Sequence, residues 1–142
     1  MTLEELQELA EKDLKINDME YDLESIKTPQ LHNKYMKFLN KFKLQLSIAE
    51  NELWKIKREK WEYYTGKASP EVYKEKPFDL KILRQDVDQY IQSDTELQKS
   101  KQKVDYLSTI CDYLDRTIKQ ISNRTFTIKN AIDWKKFTSG AI

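Results

Sequence analysis

Apolar residues recur along this chain at helical spacing, with little of the strict alternation that a half-buried strand needs. Leu3, Leu6, Leu9, Ala10 and Leu14 form a narrow stripe with acids opposite, and Thr2 with Glu5 makes a capping box in front of it. The stripe falters at Ile16-Asn17-Asp18 and resumes with Met19, Leu23 and Ile26, so the pattern predicts an acidic amphipathic helix over 1–26. Thr28-Pro29 then reads as a helix start, because proline in the first turn loses no hydrogen bond. Neither Gly nor Pro follows until Gly66, which suits a C-terminal stop. Within 28–66, Tyr35, Phe42, Ala49, Ile56 and Tyr63 recur every seven residues, with Leu31, Phe38, Leu46 and Leu53 in a neighbouring row, as in coiled-coil packing. Residues 67–77 hold Pro70 and Pro77 and read as a connector. A second long helix is predicted over 78–122, seamed by Leu83, Val87, Tyr90, Leu97, Val104, Cys111 and Ile118, with Asp94 and Lys101 as polar seam positions. Asn123 to Thr125 interrupts the pattern, and a short apolar helix follows over 125–140.

Composition narrows the fold further. Two glycines and three prolines in 142 residues are too few for the turns of a sheet protein. The expectation is an all-α fold of one domain over 1–142: a long antiparallel helical hairpin, an acidic N-terminal helix and a short C-terminal assembly helix. With 35% charged and 39% hydrophobic residues, much of the apolar seam should depend on partner helices. The net charge of +1 conceals a segmented distribution. Residues 1–26 carry nine acids and two bases, residues 27–67 ten bases and four acids, residues 68–98 seven acids and four bases, and residues 99–142 nine bases and four acids. A basic stretch therefore lies between acidic ones.

The same residues exclude much chemistry. One histidine (His32) and one cysteine (Cys111) build neither a zinc cluster, a Cys/His dyad nor an internal disulfide, so no metal, cofactor or catalytic residue is expected. Gly66-Lys67 lacks the preceding glycine and the following Ser/Thr of a phosphate loop: positions 61 and 68 are Trp and Ala. Carboxylates lie among lysines on solvated helix faces, where no cleft pairs them for hydrolysis. No apolar run is long enough to span a membrane, and Met1 to Glu5 is acidic where a secretory leader is basic, which points to the cytoplasm.

Two segments carry more than packing requires. Between Trp54 and Lys67, five bases interleave with four aromatics, and Trp54, Arg58, Trp61 and Thr65 share a helix face flanked by Lys57 and Tyr64. Cations neutralise phosphates and flat rings stack on unpaired bases, which suits single-stranded nucleic acid. The competing reading makes Ile56, Tyr63 and one Trp seam residues with lysines snorkelling past them. In the terminal helix, Phe126, Ile128, Ile132, Trp134 and Phe137 form an association surface, unless that helix folds back on its own hairpin.

Three stretches also resemble a known family. Leu3-Glu4-Glu5-Leu6-Gln7-Glu8, then Arg58-Glu59-Lys60-Trp61-Glu62-Tyr63-Tyr64-Thr65-Gly66-Lys67, and Arg124-Thr125-Phe126-Thr127-Ile128-Lys129 are similar to the UvsY-like recombination mediators of T-even-type bacteriophages. The resemblance implies a non-enzymatic protein that binds single-stranded DNA as a ring-like homo-oligomer, a hexamer or heptamer. It further implies contacts with the phage recombinase and the phage single-strand DNA-binding protein, and recombinase loading in the host bacterial cytoplasm. It assigns DNA binding to Arg58 and Lys60, around which Lys57, Trp61, Tyr64 and Lys67 complete the nucleic-acid candidates. Self-assembly falls to the segment from Phe126 to Phe137. The chain departs from the family pattern by exchanging Arg and Lys at 58 and 60, by Lys67 where Arg is usual, and by an added Trp61. A coiled-coil scaffold without nucleic-acid binding is the alternative.

Overall fold

The computed structural model describes residues 1–140, so the last two positions of the expected 1–142 domain lie outside the described residues. The described residues form five α-helices, α1 (Leu3–Asp13), α2 (Tyr21–Tyr64), α3 (Pro70–Glu75), α4 (Val87–Gln92) and α5 (Thr95–Ser139), with a 3-10 turn at Arg84–Asp86. No strand occurs among the described residues, and the fold is all-α as expected. The chain divides into two compact units, one of Met1–Phe42 with the residues from Thr109 onward, the other of Lys43–Ser108. The sequence hides this division because α2 and α5 run through it without a change of composition.

In the first unit the capping box forms as expected: the Glu5 N–H donates to the Thr2 hydroxyl at 3.2 Å, and the Thr2 N–H to the Glu5 carboxylate at 2.8 Å. Leu6 and Ala10 are buried. At the end of α1, Asp13 accepts from Lys34 Nζ at 2.8 Å and from the Tyr35 hydroxyl at 2.9 Å, which fixes α1 to α2. Burial, and then that carboxylate, push the Tyr35 phenol well above its ordinary value.

Two boundaries differ from those expected. The faltering at Asn17 is a full break, where the Asn17 side chain accepts from the Met19 N–H at 3.0 Å, and α2 starts directly after it at Tyr21. Pro29 thus lies inside α2 instead of opening it. Proline removes the N–H that the Ser25 carbonyl would use; in the same turn the Glu24 carbonyl accepts from Arg124. Arg124 also bonds the Glu24 carboxylate and approaches the Thr28 hydroxyl at 3.2 Å, so this turn is held from α5.

The second difference has the same cause. α5 does not break at Asn123–Thr125; it runs unbroken to Ser139, so the separate helix expected over 125–140 is its last part. Thr117, Ile121, Arg124 and Ile128 are buried at helical spacing, so the core stripe continues through an arginine. Lys135 lies over the Tyr21 ring at 4.7 Å while Arg124 meets Glu24 and Thr28, so α2 and α5 run antiparallel in this unit.

In the second unit α2 ends in a Schellman motif. The Lys67 N–H reaches the Glu62 carbonyl at 2.8 Å and the Gly66 N–H reaches Tyr63 at 3.4 Å, with Gly66 at φ +77°. Gly66 is the expected cap. The next long helix does not begin at Phe78: residues 76–83 are irregular, α4 is short, and α5 starts only at Thr95. Asp94, read above as a seam residue, instead caps α5 by accepting from the Leu97 N–H at 3.1 Å. Phe78 joins an aromatic cluster with Tyr63, Tyr64 and Tyr90, and Tyr73 stacks on Tyr63 at 5.5 Å.

The Glu24–Arg124 pair yields a stability test. The Glu24 carboxyl is held below its ordinary 4.5, first by the bond from Lys27 and then by Arg124, against the opposing effect of burial. A lowered folded-state value gives stability that is complete above pH 4.5 and lost as pH falls through the depressed value. Arg124→Met strands a buried carboxylate and should cost about 3–5 kcal/mol, while Glu24→Met/Arg124→Met should cost clearly less. Urea unfolding followed by circular dichroism, at fixed protein concentration, should also show the wild type losing stability below pH 4.5 more steeply than the double variant.

Candidate nucleic-acid interface

The last three turns of α2 carry the candidate residues, and helical geometry sorts them into two sets. Residues two apart on a helix point about 200° from each other, so Arg58 and Lys60 face opposite ways. Trp54, Arg58 and Trp61 share a face, and Lys60 lies away from it. Lys57 and Tyr64, seven residues apart, lie close together at the border, and their contacts place Lys57 with the first set and Tyr64 with the second.

The first set is accessible. Trp54 is 69% and Trp61 43% exposed. Lys57 Nζ lies 4.7 Å from the Trp54 ring centroid, and Lys67 Nζ lies 4.4 Å from that of Trp61. Seven residues separate the two indoles, about 10 Å along the helix. Arg58 projects into solvent with 73% of its side chain exposed, and its one ion pair among the described residues is a loose contact with Glu62 at 3.8 Å. Each ammonium–indole contact is worth about 0.5–1 kcal/mol at an exposed site and leaves the charge available to an anion.

The second set is engaged within the chain. Lys60 keeps 13% of its side chain exposed and lies between Asp94 Oδ2 at 3.4 Å and Glu96 Oε2 at 3.1 Å. The Tyr64 hydroxyl donates to Asp94 at 2.7 Å, and its ring packs edge-on against Phe78 at 5.1 Å. Burial, then Asp94, raise the Tyr64 phenol well above its ordinary value. Lys76 closes the network on Glu96 at 2.8 Å, and Lys76 and then Lys60 lower the Glu96 carboxyl. Within one chain, then, Lys60 and Tyr64 hold α2 to the start of α5, and the free surface is Trp54, Lys57, Arg58, Trp61 and Lys67. Trp54 was named with the basic segment but not among the leading candidates. Its seven-residue spacing from Trp61 was the available signal.

The terminal residues also divide. Phe126, Trp134 and Phe137 are 66%, 65% and 63% exposed, and the last two rings stack at 5.8 Å. Ile132 is half-buried. Ile128 is 2% exposed and belongs to the core of the first unit, so it is not part of the apolar surface. Among the described residues, no group of three or more His, Cys, Asp and Glu side chains is placed to hold a metal ion, and no helix is long and apolar enough to cross a membrane.

A family described as recombination, repair and ssDNA binding protein UvsY matches residues 9–141. The chain belongs to the UvsY family. It is 21% identical to the recombination protein uvsY of Enterobacteria phage T4 over 140 residues, covering 99% of each chain. Crystal structures of the bacteriophage T4 recombination mediator protein UvsY superpose with TM-scores of 0.86 and 0.84, at 21% and 19% identity. They cover 98% and 94% of this chain and 98% of each crystal chain. The UvsY fold thus persists where about four in five residues differ.

The division of α2 predicts unlike consequences for neighbouring cations. Lys60→Gln leaves Asp94 and Glu96 facing each other without their shared cation and should cost about 1–3 kcal/mol of stability. Arg58→Gln, at the solvent, should change it by less than about 0.5 kcal/mol. Urea midpoints of the two variants decide it; equal midpoints would show that Lys60 has no structural role.

Proposed function

We propose that this protein is a non-enzymatic recombination mediator that binds single-stranded DNA as a ring-like homo-oligomer of six or seven subunits. It promotes loading of the phage recombinase onto DNA covered by the phage single-strand DNA-binding protein, in the cytoplasm of the infected host. The observation that carries this reading is the exposed row of indoles and cations on α2 and the turn after it, Trp54, Lys57, Arg58, Trp61 and Lys67, in a chain of the UvsY family. Lysine and arginine take phosphates of any sequence, and indoles stack on any base. A protein that moves along the genome's single strands needs this indifference to sequence.

One subunit offers few contacts, and Glu62 partly screens Arg58. Assembly turns several weak patches into a continuous track whose second and later contacts are intramolecular, so avidity replaces affinity. The exposed Phe126, Trp134 and Phe137 support assembly through the terminal part of α5. Surfaces of this kind normally find a partner.

Two measurements test the reading. Each phosphate contact on a single strand contributes about 0.7 to the slope of log affinity against log salt. Arg58→Gln/Lys67→Gln should therefore lower that slope by about 1.4 for every engaged subunit, with helicity unchanged. A chain that binds no single-stranded DNA at low salt would be a scaffold instead. Trp134→Ser/Phe137→Ser should sediment as a smaller species than the wild type while keeping its circular dichroism. Unchanged sedimentation would move assembly to another surface.

A further inference from the structure

Trp61 is a wall as well as a surface. It borders a groove of about 540 Å3 formed with Thr65 and Lys67 from the turn after α2, Arg84 from the 3-10 turn, and Val87 and Asp88 from the start of α4. That volume lies in the range of small-molecule sites. Val87, 6% exposed, gives the groove an apolar element. Neither Lys67 nor Arg84 takes part in an ion pair among the described residues, so two unneutralised cations stand against one carboxylate. The Lys67 ammonium occupies the indole face at 4.4 Å, the place a stacked base would take.

Trp61 also borders a second groove, where Lys57 and Lys101 stand with Asp88 and Asp105. There the charges balance, which removes the attraction for a polyanion. Charge therefore selects the first groove.

We infer that the groove between Trp61 and Arg84 holds one nucleotide of single-stranded DNA, its base against the indole and its two flanking phosphates on Lys67 and Arg84. This rests on the nucleic-acid reading above and adds to it a place for the base and a cation from outside α2. Lys67 moves from the ring to the phosphate as the base enters, exchanging one electrostatic contact for another. Asp88 accepts a hydrogen bond from a base N–H at the groove edge and, as a like charge, keeps the phosphates toward the cationic side. Sequence reasoning missed Arg84 because it sits in a segment predicted to be helix, where its position relative to Trp61 was not legible.

The test compares an oligothymidylate with an oligomer of equal length in which every base is replaced by an abasic tetrahydrofuran. Binding of the full-length chain is measured across a salt series. Wild type should prefer the oligothymidylate by at least about fivefold at high salt, because stacking is not screened as charge is. Trp61→Ala should lose most of that preference, and Trp61→Phe should keep part of it. Arg84→Gln should keep the preference but lower the salt slope by about 0.7 per engaged subunit. With Trp54→Phe/Trp134→Phe as background, the remaining Trp61 fluorescence should be quenched on binding. If Trp61→Ala keeps the full preference and Trp61 is not quenched, the base lies elsewhere and this inference falls, while salt-dependent binding would leave the wider reading intact. A wild type that binds neither oligomer overturns both.

Discussion

The second unit depends on what one carboxylate does. Asp94 caps α5 through the Leu97 N–H, accepts the Tyr64 hydroxyl, and pairs with Lys60. Three donors from two helices converge on one side chain, so the end of α2 and the start of α5 are fixed by the same group. Capping alone is worth about 1 kcal/mol, but the more important effect is directional. Asp94 takes Lys60 and Tyr64 into the contact with α5, while Arg58, Trp61 and Lys57 stay outside it. The division between Lys60 as a structural cation and Arg58 as an available one follows from Asp94, Glu96 and the 100° step of the helix.

The first unit shows the complementary arrangement. A charged pair, Glu24 with Arg124, is buried, while Phe126, Trp134 and Phe137 on the same helix as Arg124 are exposed. Burying an ion pair gains little over a well-packed apolar pair, but breaking it is costly, so it acts as a selector of register. Arg124 fixes which turn of α2 faces which turn of α5, at the turn that Pro29 deprives of a backbone donor. With register set by polar contacts, the apolar residues beyond Ile128 are not needed for the internal core and are available to another surface.

Features written in local chemistry were legible in the sequence. The Thr2 capping box, the Gly66 stop and the spacing of Tyr35, Phe42 and Ala49 all hold. Features that depend on a distant partner were not. Pro29 reads as a helix start because the contacts of Arg124 with Glu24 and Thr28, which hold the same turn from α5, come from about a hundred residues away. Arg124 looked like a break because a pattern of apolar positions cannot count an arginine whose charge is matched inside the core. Asp94 looked like a seam residue because the heptad count passes through it without registering the interruption at Ser93. The site was half legible for the same reason: aromatic and basic residues can be seen in order, but whether a lysine is free depends on acids that only the fold brings near.

The arrangement also explains why near-neutral total charge is compatible with binding a polyanion. Acids are not spread evenly; Asp94 and Glu96 are placed against Lys60 and Lys76, where they neutralise cations that already have a structural task. Of the cations left over, Arg58, Lys67 and Arg84 stand beside or near an exposed indole with Glu62 and Asp88 as neighbouring acids, while Lys57 lies over Trp54 in the groove that also holds Asp88 and Asp105. A modest local excess of positive charge of this kind attracts a polyanion less strongly than a fully basic surface would. Tight binding by each subunit would hold the DNA against the next protein in line. On the function proposed above, weak sites that gain strength only by number would hold a strand collectively and yield it one contact at a time.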